Sequence, residues 1–362
     1  MVPTKQKKIL FIAPYPKGIG PSQRFRFEHY LPHLKEHSFA YDYQTFISEK
    51  DYPFFYRKGR YLKKTLIVIK GFAKRFSLLF NAFKYDFIFI QREATPIAPP
   101  FFEWFLGKVL GKKLIYDFDD AIWVPQTSEA NPLAALIKCN WKVAAICKWS
   151  WKISVGNRFL SSFAEKYNRN VFIIPTVVDT ENMHNPIAYP GQNRGKTIGW
   201  TGTFTNFANL SMIVSVLQRL DKEERASILV IADRDPEIKN LRYQFQKWNK
   251  ETEIKDLLQF DIGLMPLLDE EFQKGKCGFK AIQYMALGIP AVVSPVGVNS
   301  EIVNDGLNGY WATTEDEWYS KLRELLDNNS KRVKFGKGAR KKIVSDYSVQ
   351  STLKPFLDLF KD

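Results

Sequence analysis

The chain has 362 residues, 45% of them hydrophobic and 25% charged, with 53 Lys and Arg against 38 Asp and Glu for a net charge of +15. This composition excludes a disordered or fibrous chain, and no run approaches the ~18 consecutive apolar residues that a membrane-spanning helix needs. The length suits two domains of roughly 150–200 residues, and three cysteines (Cys139, Cys147, Cys277) with four histidines make neither a disulfide framework nor an evident zinc set, which points to the reducing cytoplasm.

The opening MVPTKQKKILFIAPYP holds a short apolar stretch that runs into a Pro/Gly turn, so it reads as a first strand over 8–14 and not as a signal peptide. The turn Pro14–Ser22 contains Gly18 and Gly20 and leads into a helix-like stretch with Arg24 and Arg26. Such a turn lets backbone amides approach an anion, although the spacing is neither the dinucleotide fingerprint nor a P-loop. His29, His33 and His37 recur every four residues, but without Cys or carboxylates at matching spacing they read as surface and packing residues.

From Phe54 to Lys84 there are nine Lys and Arg and no acidic residue. Leu62, Leu66, Ile69, Phe72, Phe76, Leu79, Phe80 and Phe83 keep a three-four spacing, with Lys63, Lys70, Lys74 and Lys84 opposite. The pattern predicts a basic amphipathic helix suited to an anionic membrane surface; the alternative is a helix that packs those phenylalanines into its own domain. Nucleic acid fits the charge as well, but no recognition motif for it is present.

Strands follow at 87–91 and 113–119. The second ends in Asp117-Phe118-Asp119-Asp120, three carboxylates at the C-terminal edge of a parallel sheet, where such folds bind ligands. They are placed to accept hydrogen bonds from sugar hydroxyls, to position a proton or to bind a divalent metal, and Asp120 alternatively to cap a helix. Further strands are predicted at 151–156, 171–176, 196–202, 227–233, 261–267 and 290–296, alternating with helices as in parallel βαβ units. Pro, Gly and Asn cluster at 175–195, the expected linker. The expected domains are 1–178 and 179–340, with a C-terminal helix over 341–362 crossing back to the first. Residues 1–178 hold 28 basic and 13 acidic residues, and the second half is balanced at 25 of each. A field confined to one domain points to a polyanionic partner for that domain.

In the second half a glycine-containing loop, Lys274-Gly-Lys-Cys-Gly-Phe-Lys, enters a helix near Gly278 with Lys276 and Lys280 about one turn apart, a pattern that makes a diphosphate site. Gln283-Tyr-Met-Ala-Leu-Gly-Ile-Pro290 and Pro295-Val-Gly-Val-Asn-Ser-Glu301-Ile-Val-Asn-Asp-Gly306-Leu-Asn-Gly309 follow. These strings resemble the donor-site region of retaining GT-B glycosyltransferases, in particular glycosyltransferase family 4. The resemblance extends in order through the first-strand turn, Gly156-Asn157, Ile174–Asp179 and Gly199-Trp-Thr-Gly-Thr203.

The resemblance implies an α/β GT-B fold, two Rossmann-like doubly wound domains facing a central cleft. It also implies transfer of a sugar from a nucleotide-diphosphate sugar with retention, without metal or other cofactor, in cell-surface polysaccharide or glycoconjugate synthesis. The implied donor-site residues are Gly20, Arg24, Thr203, Gly278, Phe279 and Gln283, with Lys276 and Lys280 on the diphosphate and Asp119 and Asp120 toward sugar or acceptor. The sequence departs from the family where its paired glutamates fall on Gly275 and Gln283. Thr203-Phe-Thr-Asn-Phe-Ala offers no counterpart of its usual Arg/Lys pair, and the strand-end His of the family aligns near Asp119. The expected acceptor is a glycan or a lipid-linked precursor at the inner membrane face, with Lys63, Lys70 and Lys74 toward the bilayer. A GT-B sugar-nucleotide epimerase and a catalytically degenerate binding subunit are the alternatives.

Overall fold

The chain forms two compact units, Met1–Pro175 with Leu353–Asp362, and Thr176–Thr352. The computed structural model describes residues 6–55, 57, 59–125, 139–188 and 195–361; residues 189–194 of the expected linker, and Tyr56 and Lys58 of the basic segment, lie outside that set.

In the first unit the strands are β1 (Lys7–Ala13), β2 (Phe39–Thr45), β3 (Phe87–Gln91), β4 (Lys113–Phe118), β5 (Lys152–Val155) and β6 (Val171–Ile173). They lie in the order β2-β1-β3-β4-β5-β6, every pair parallel. Phe87, Ile88, Phe89, Ile90 and Gln91 are all buried, as a parallel strand covered on both faces requires. Phe356 and Phe360, from the chain beyond Leu353, complete this core. Phe356 stacks on Tyr30 with ring centres 4.1 Å apart, and Phe360 meets Phe11, Phe39 and Phe87. Lys152 secures the segment by donating to the carbonyls of Asp358 and Lys361 at 3.0 and 2.6 Å.

The second unit repeats the plan with β7 (Thr197–Gly202), β8 (Ser227–Ala232), β9 (Gln244–Lys247), β10 (Ile262–Met265), β11 (Ala291–Val293) and β12 (Gly309–Trp311). Their order is β12-β11-β10-β7-β8-β9, again all parallel. Trp200 on β7 and Trp318 on the helix Glu315–Asp327 belong to its buried core. That helix opens with a capping box between Thr314 and Glu317.

Chain direction across each sheet reverses once, between β1 and β3 in the first and between β7 and β10 in the second. Such a switch point opens a crevice beyond the carboxyl ends of the two strands, where open α/β sheets take their ligands. The loops after β1 and β3, and those after β7 and β10, therefore frame the two places to look for chemistry.

The basic amphipathic helix runs from Tyr61 to Asn81. Its domain-facing side is Ile67, Gly71, Arg75 and Leu78, and a Cβ at Gly71 would meet the Phe46 ring at 2.6 Å. The side expected to be apolar is instead largely turned outward: Leu62, Leu66, Ile69, Phe76, Phe80 and Phe83 are exposed, Phe80 at 79%, while Phe72 and Leu79 are half-buried. Packing into the parent domain therefore accounts for only part of that face. Phe76 also contacts Phe101, which with Trp104 continues the exposed apolar surface.

Candidate functional site

The first crevice is built on ion pairs that fix the strand ends. Asp117, at the end of β4, is buried and accepts from Arg26 Nη2 at 2.5 Å and from Ser154 Oγ at 2.7 Å. Arg26 also reaches the carbonyl of Ile174. Both Asp117 and Arg26 are thus committed to joining β4, β5 and the end of β6. The three-carboxylate reading loses this member, and no group of three or more His, Cys, Asp or Glu among the described residues is arranged to hold a metal.

Asp119 and Asp120 point elsewhere. Arg92, the first residue after β3, holds a left-handed backbone conformation (φ 62°), and its amide donates to the carbonyl of Asp117 at 2.7 Å. From there Nη1 lies 3.0 Å from Asp120 and 3.5 Å from Asp119. A non-glycine residue in this region is strained, and such strain concentrates where a side chain must be aimed. Burial and the neighbouring Asp120 carboxylate push the Asp119 carboxyl up to about 7, against the pull of Arg92. Asp120 spends its carboxylate on Arg92, not on a helix cap. The result is a carboxyl pair sharing one guanidinium, with one member poised to gain or lose a proton near neutrality. Sequence reasoning found the two carboxylates and missed Arg92; the available signal was a cation directly after the apolar run Phe87–Gln91.

The β1 turn is more occupied than its glycines suggest. The Gly18 amide already donates to Glu28 Oε2 at 2.7 Å, and Gln23 ties the turn to Tyr15. Gly20 is needed for close approach, because a Cβ there would meet the Tyr15 ring at 2.9 Å. Arg24 is buried with its guanidinium 4.7 Å from the Phe25 ring centre. The histidine comb does not form on one helix. Pro21–Arg24, Glu28–Tyr30 and Leu31–Glu36 are separate turns, and His33 and His37 engage Glu36 and the His33 carbonyl.

In the second unit, Lys276 and Lys280 flank the start of the helix Phe279–Ala286. Gly278 enters that helix at φ 67°, and a side chain there would strike Ile302 at 2.1 Å, so glycine is required twice over. Lys276 lies over the Phe272 ring and Lys280 over Trp200, with nitrogen-to-centre distances of 4.9 and 5.1 Å. Burial and, after it, the Lys276 ammonium pull Lys280 down to about 7. Lys280 has no carboxylate partner among the described residues; at the places where the resembled family carries glutamates stand Gly275 and Gln283. An ammonium held without a counter-ion beside a second one is a site prepared for an anion.

Phe279 is half-buried at the helix start. Gln283 is 2% exposed, and its amide nitrogen lies 3.5 Å from His184 Nε2. Thr203, after β7, accepts from Asn206 Nδ2 at 2.9 Å and holds its own turn together. Lys63 stacks 3.1 Å from the Phe54 ring centre, Lys74 is half-buried, and Lys70 is exposed on the outer helix face.

Residues 195–328 match the family of glycosyl transferases group 1. Over 80 residues the chain is 28% identical to spore coat protein SA of Bacillus subtilis, a match covering 21% of each chain. Among solved structures it is similar to sucrose-phosphate synthase from Thermosynechococcus elongatus, with a TM-score of 0.70 at 13% identity over 98% of both chains. The catalytic domain of starch synthase IV from Arabidopsis thaliana, bound to ADP and acarbose, gives 0.66 at 11% identity over 98% of both. Anabaena HepE in complex with UDP gives 0.64 at 14% over 97% of this chain and 98% of that one. The fold is therefore GT-B, a pair of Rossmann-like domains.

Proposed function

We propose that the protein is a glycosyltransferase that moves a sugar from a nucleotide-diphosphate sugar to a glycan or lipid-linked acceptor. The observation that carries this reading is the Lys276–Lys280 pair at the helix start beside the β7–β10 switch point, inside the segment that matches the glycosyl transferase group. Similar structures hold UDP and ADP, which supports a nucleoside diphosphate at this place. The two ammonium groups neutralise the leaving phosphate, and the Asp119–Asp120–Arg92 cluster orients hydroxyls and handles a proton. On this reading the sugar is transferred with retention, and cations of the chain carry the leaving-group charge without a metal. Sugar transfer or donor hydrolysis by purified protein in EDTA is the test. Activity lost to chelator and restored by Mg²⁺ would sink the metal-free mechanism.

Donor binding should also be coupled to protons. A bound diphosphate raises the depressed Lys280 pKa, so binding at pH 8 takes up a proton, and affinity falls as pH rises above about 7 by at most ~10-fold per pH unit. Calorimetry in buffers of different ionisation heat measures the uptake directly. Binding that is independent of pH between 7 and 9 would remove Lys280 from the phosphates.

The outer face of the helix Tyr61–Asn81 gives the acceptor reading its membrane component. No helix among the described residues is long and apolar enough to cross a membrane. Leu66, Phe76 and Phe80 are exposed beside Lys70, a combination suited to peripheral attachment on the inner face of an anionic membrane. Lys70→Ala should weaken partition onto anionic vesicles about fivefold, the contribution of ~1 kcal/mol from one basic residue near the surface. Phe80→Ala should weaken it as well, and both variants should keep nucleotide affinity. Wild-type protein that ignores such vesicles at low salt would leave a water-borne polyanionic glycan as the acceptor.

A further inference from the structure

A second feature stands at the carboxyl edge of the same sheet. Phe204, two residues after β7, is 48% exposed, and its amide is fixed by donating to Asp233 Oδ1 at 2.7 Å. Arg234 follows β8, the strand paired in parallel with β7. Its guanidinium carbon lies 3.3 Å from the Phe204 ring centre, and the guanidinium makes no ion pair among the described residues. Arg234 is exposed. A half-exposed ring and a cation without an ion pair among the described residues thus lie together at the surface, arranged by the strand ends.

The geometry narrows what covers them. A guanidinium seated on one ring keeps its other face free, and that face is flat, cationic and weakly hydrated, the form that stacks on a heteroaromatic base. A phosphate is bound best by the N–H edges of a guanidinium, and the diphosphate already has Lys276 and Lys280. Ring contacts connect the two features: Phe204 meets Phe207 at 5.5 Å, Phe207 meets Trp200 at 5.7 Å, and Lys280 lies over Trp200.

We propose that the Arg234–Phe204 stack is the platform for the donor's nucleobase, which lies on the free face of Arg234. This rests on the transferase reading and adds to it the group that reads the base end of the donor. Arg234→Ala should lower affinity for uridine or adenosine 5′-diphosphate by roughly fivefold to a hundredfold, the range that one base stack supplies, and leave inorganic pyrophosphate binding unchanged. Phe204→Leu should do the same more weakly. Both side chains are exposed, so unaltered thermal melts check that the fold is intact. Equal nucleoside diphosphate affinity in wild type and Arg234→Ala overturns the platform alone. An equal loss for nucleotide and pyrophosphate also overturns it, because Arg234 is then a phosphate contact. Wild-type protein that binds pyrophosphate but no nucleoside diphosphate, or neither, overturns the transferase reading and the platform with it.

Discussion

Asparagine at Asp119 or at Asp120 should each cut turnover by roughly two to four orders of magnitude, the range associated with a positioned acid or base, while nucleotide affinity stays nearly constant. The two carboxyls share Arg92 in the first unit, whereas the proposed diphosphate contacts belong to the second. The variants also carry a stability signature. The Asp119 carboxyl sits near 7 in the folded protein and near the ordinary 3.8 when unfolded. Between those values the folded state holds a proton that the unfolded state has released, so stability falls as pH rises through this window. Asp119→Asn removes that dependence and should make the protein at least as stable as wild type at pH 8, the signature of a side chain kept for activity at a cost in stability. Denaturant unfolding at pH 5 and pH 8 measures it. An Asp119→Asn variant that keeps full turnover, or unfolds more readily than wild type at pH 8, would make the residue structural.

Lys280→Ala should weaken nucleoside diphosphate binding by roughly tenfold to a hundredfold, since a hydrogen bond to a charged group contributes about 1.5–3 kcal/mol. Lys276→Ala should act in the same direction. The two losses should not add, because both ammonium groups hold one and the same ligand. Because Lys280 has no carboxylate partner among the described residues to leave behind, and its removal relieves the repulsion between two neighbouring cations, the variant should melt no lower than wild type. Unchanged nucleotide affinity in both single variants would take the loop Gly275–Gly278 out of the donor site.

How much of this could be read from the chain differs by kind of residue. Nine strands were legible as short apolar runs, eight of them from strands inside a sheet such as Phe87–Gln91 and one, β6, from an edge strand whose Phe172 and Ile173 are exposed. The other three, β2, β9 and β12, are edge strands with sequences such as Gln244-Phe-Gln-Lys247, and their extended form is set by a single neighbour. The two lysines of the donor loop were legible from local spacing alone. Arg92, Phe204 and Arg234 were not, because each acquires its meaning from a partner on another strand, and register across a parallel sheet is not written in local spacing. Asp117 shows the converse. Alternation along β4 groups it with Asp119, yet Arg26, 91 positions away in sequence, claims its carboxylate for the interior. The basic helix was legible as a helix, but its spacing placed the lysines opposite the apolar stripe, whereas that stripe is itself largely exposed and the buried side is Ile67, Gly71, Arg75 and Leu78. Gly71, whose missing side chain admits the Phe46 ring, decides that.

The return of the chain to its first unit has a bearing on how the protein is made. Phe356 and Phe360 sit in the core of the sheet that begins at Lys7, so the last pieces of that core are translated after the whole of Thr176–Thr352. Domains usually mature in the order of synthesis. Here the second unit is contiguous in sequence, whereas the first lacks, until the end of synthesis, the Phe356 and Phe360 rings that pack on Phe11, Phe87 and Phe89. A chain ending before Phe356 should therefore keep the contiguous second unit and lose stability in the first, a difference that limited proteolysis of the two forms would register.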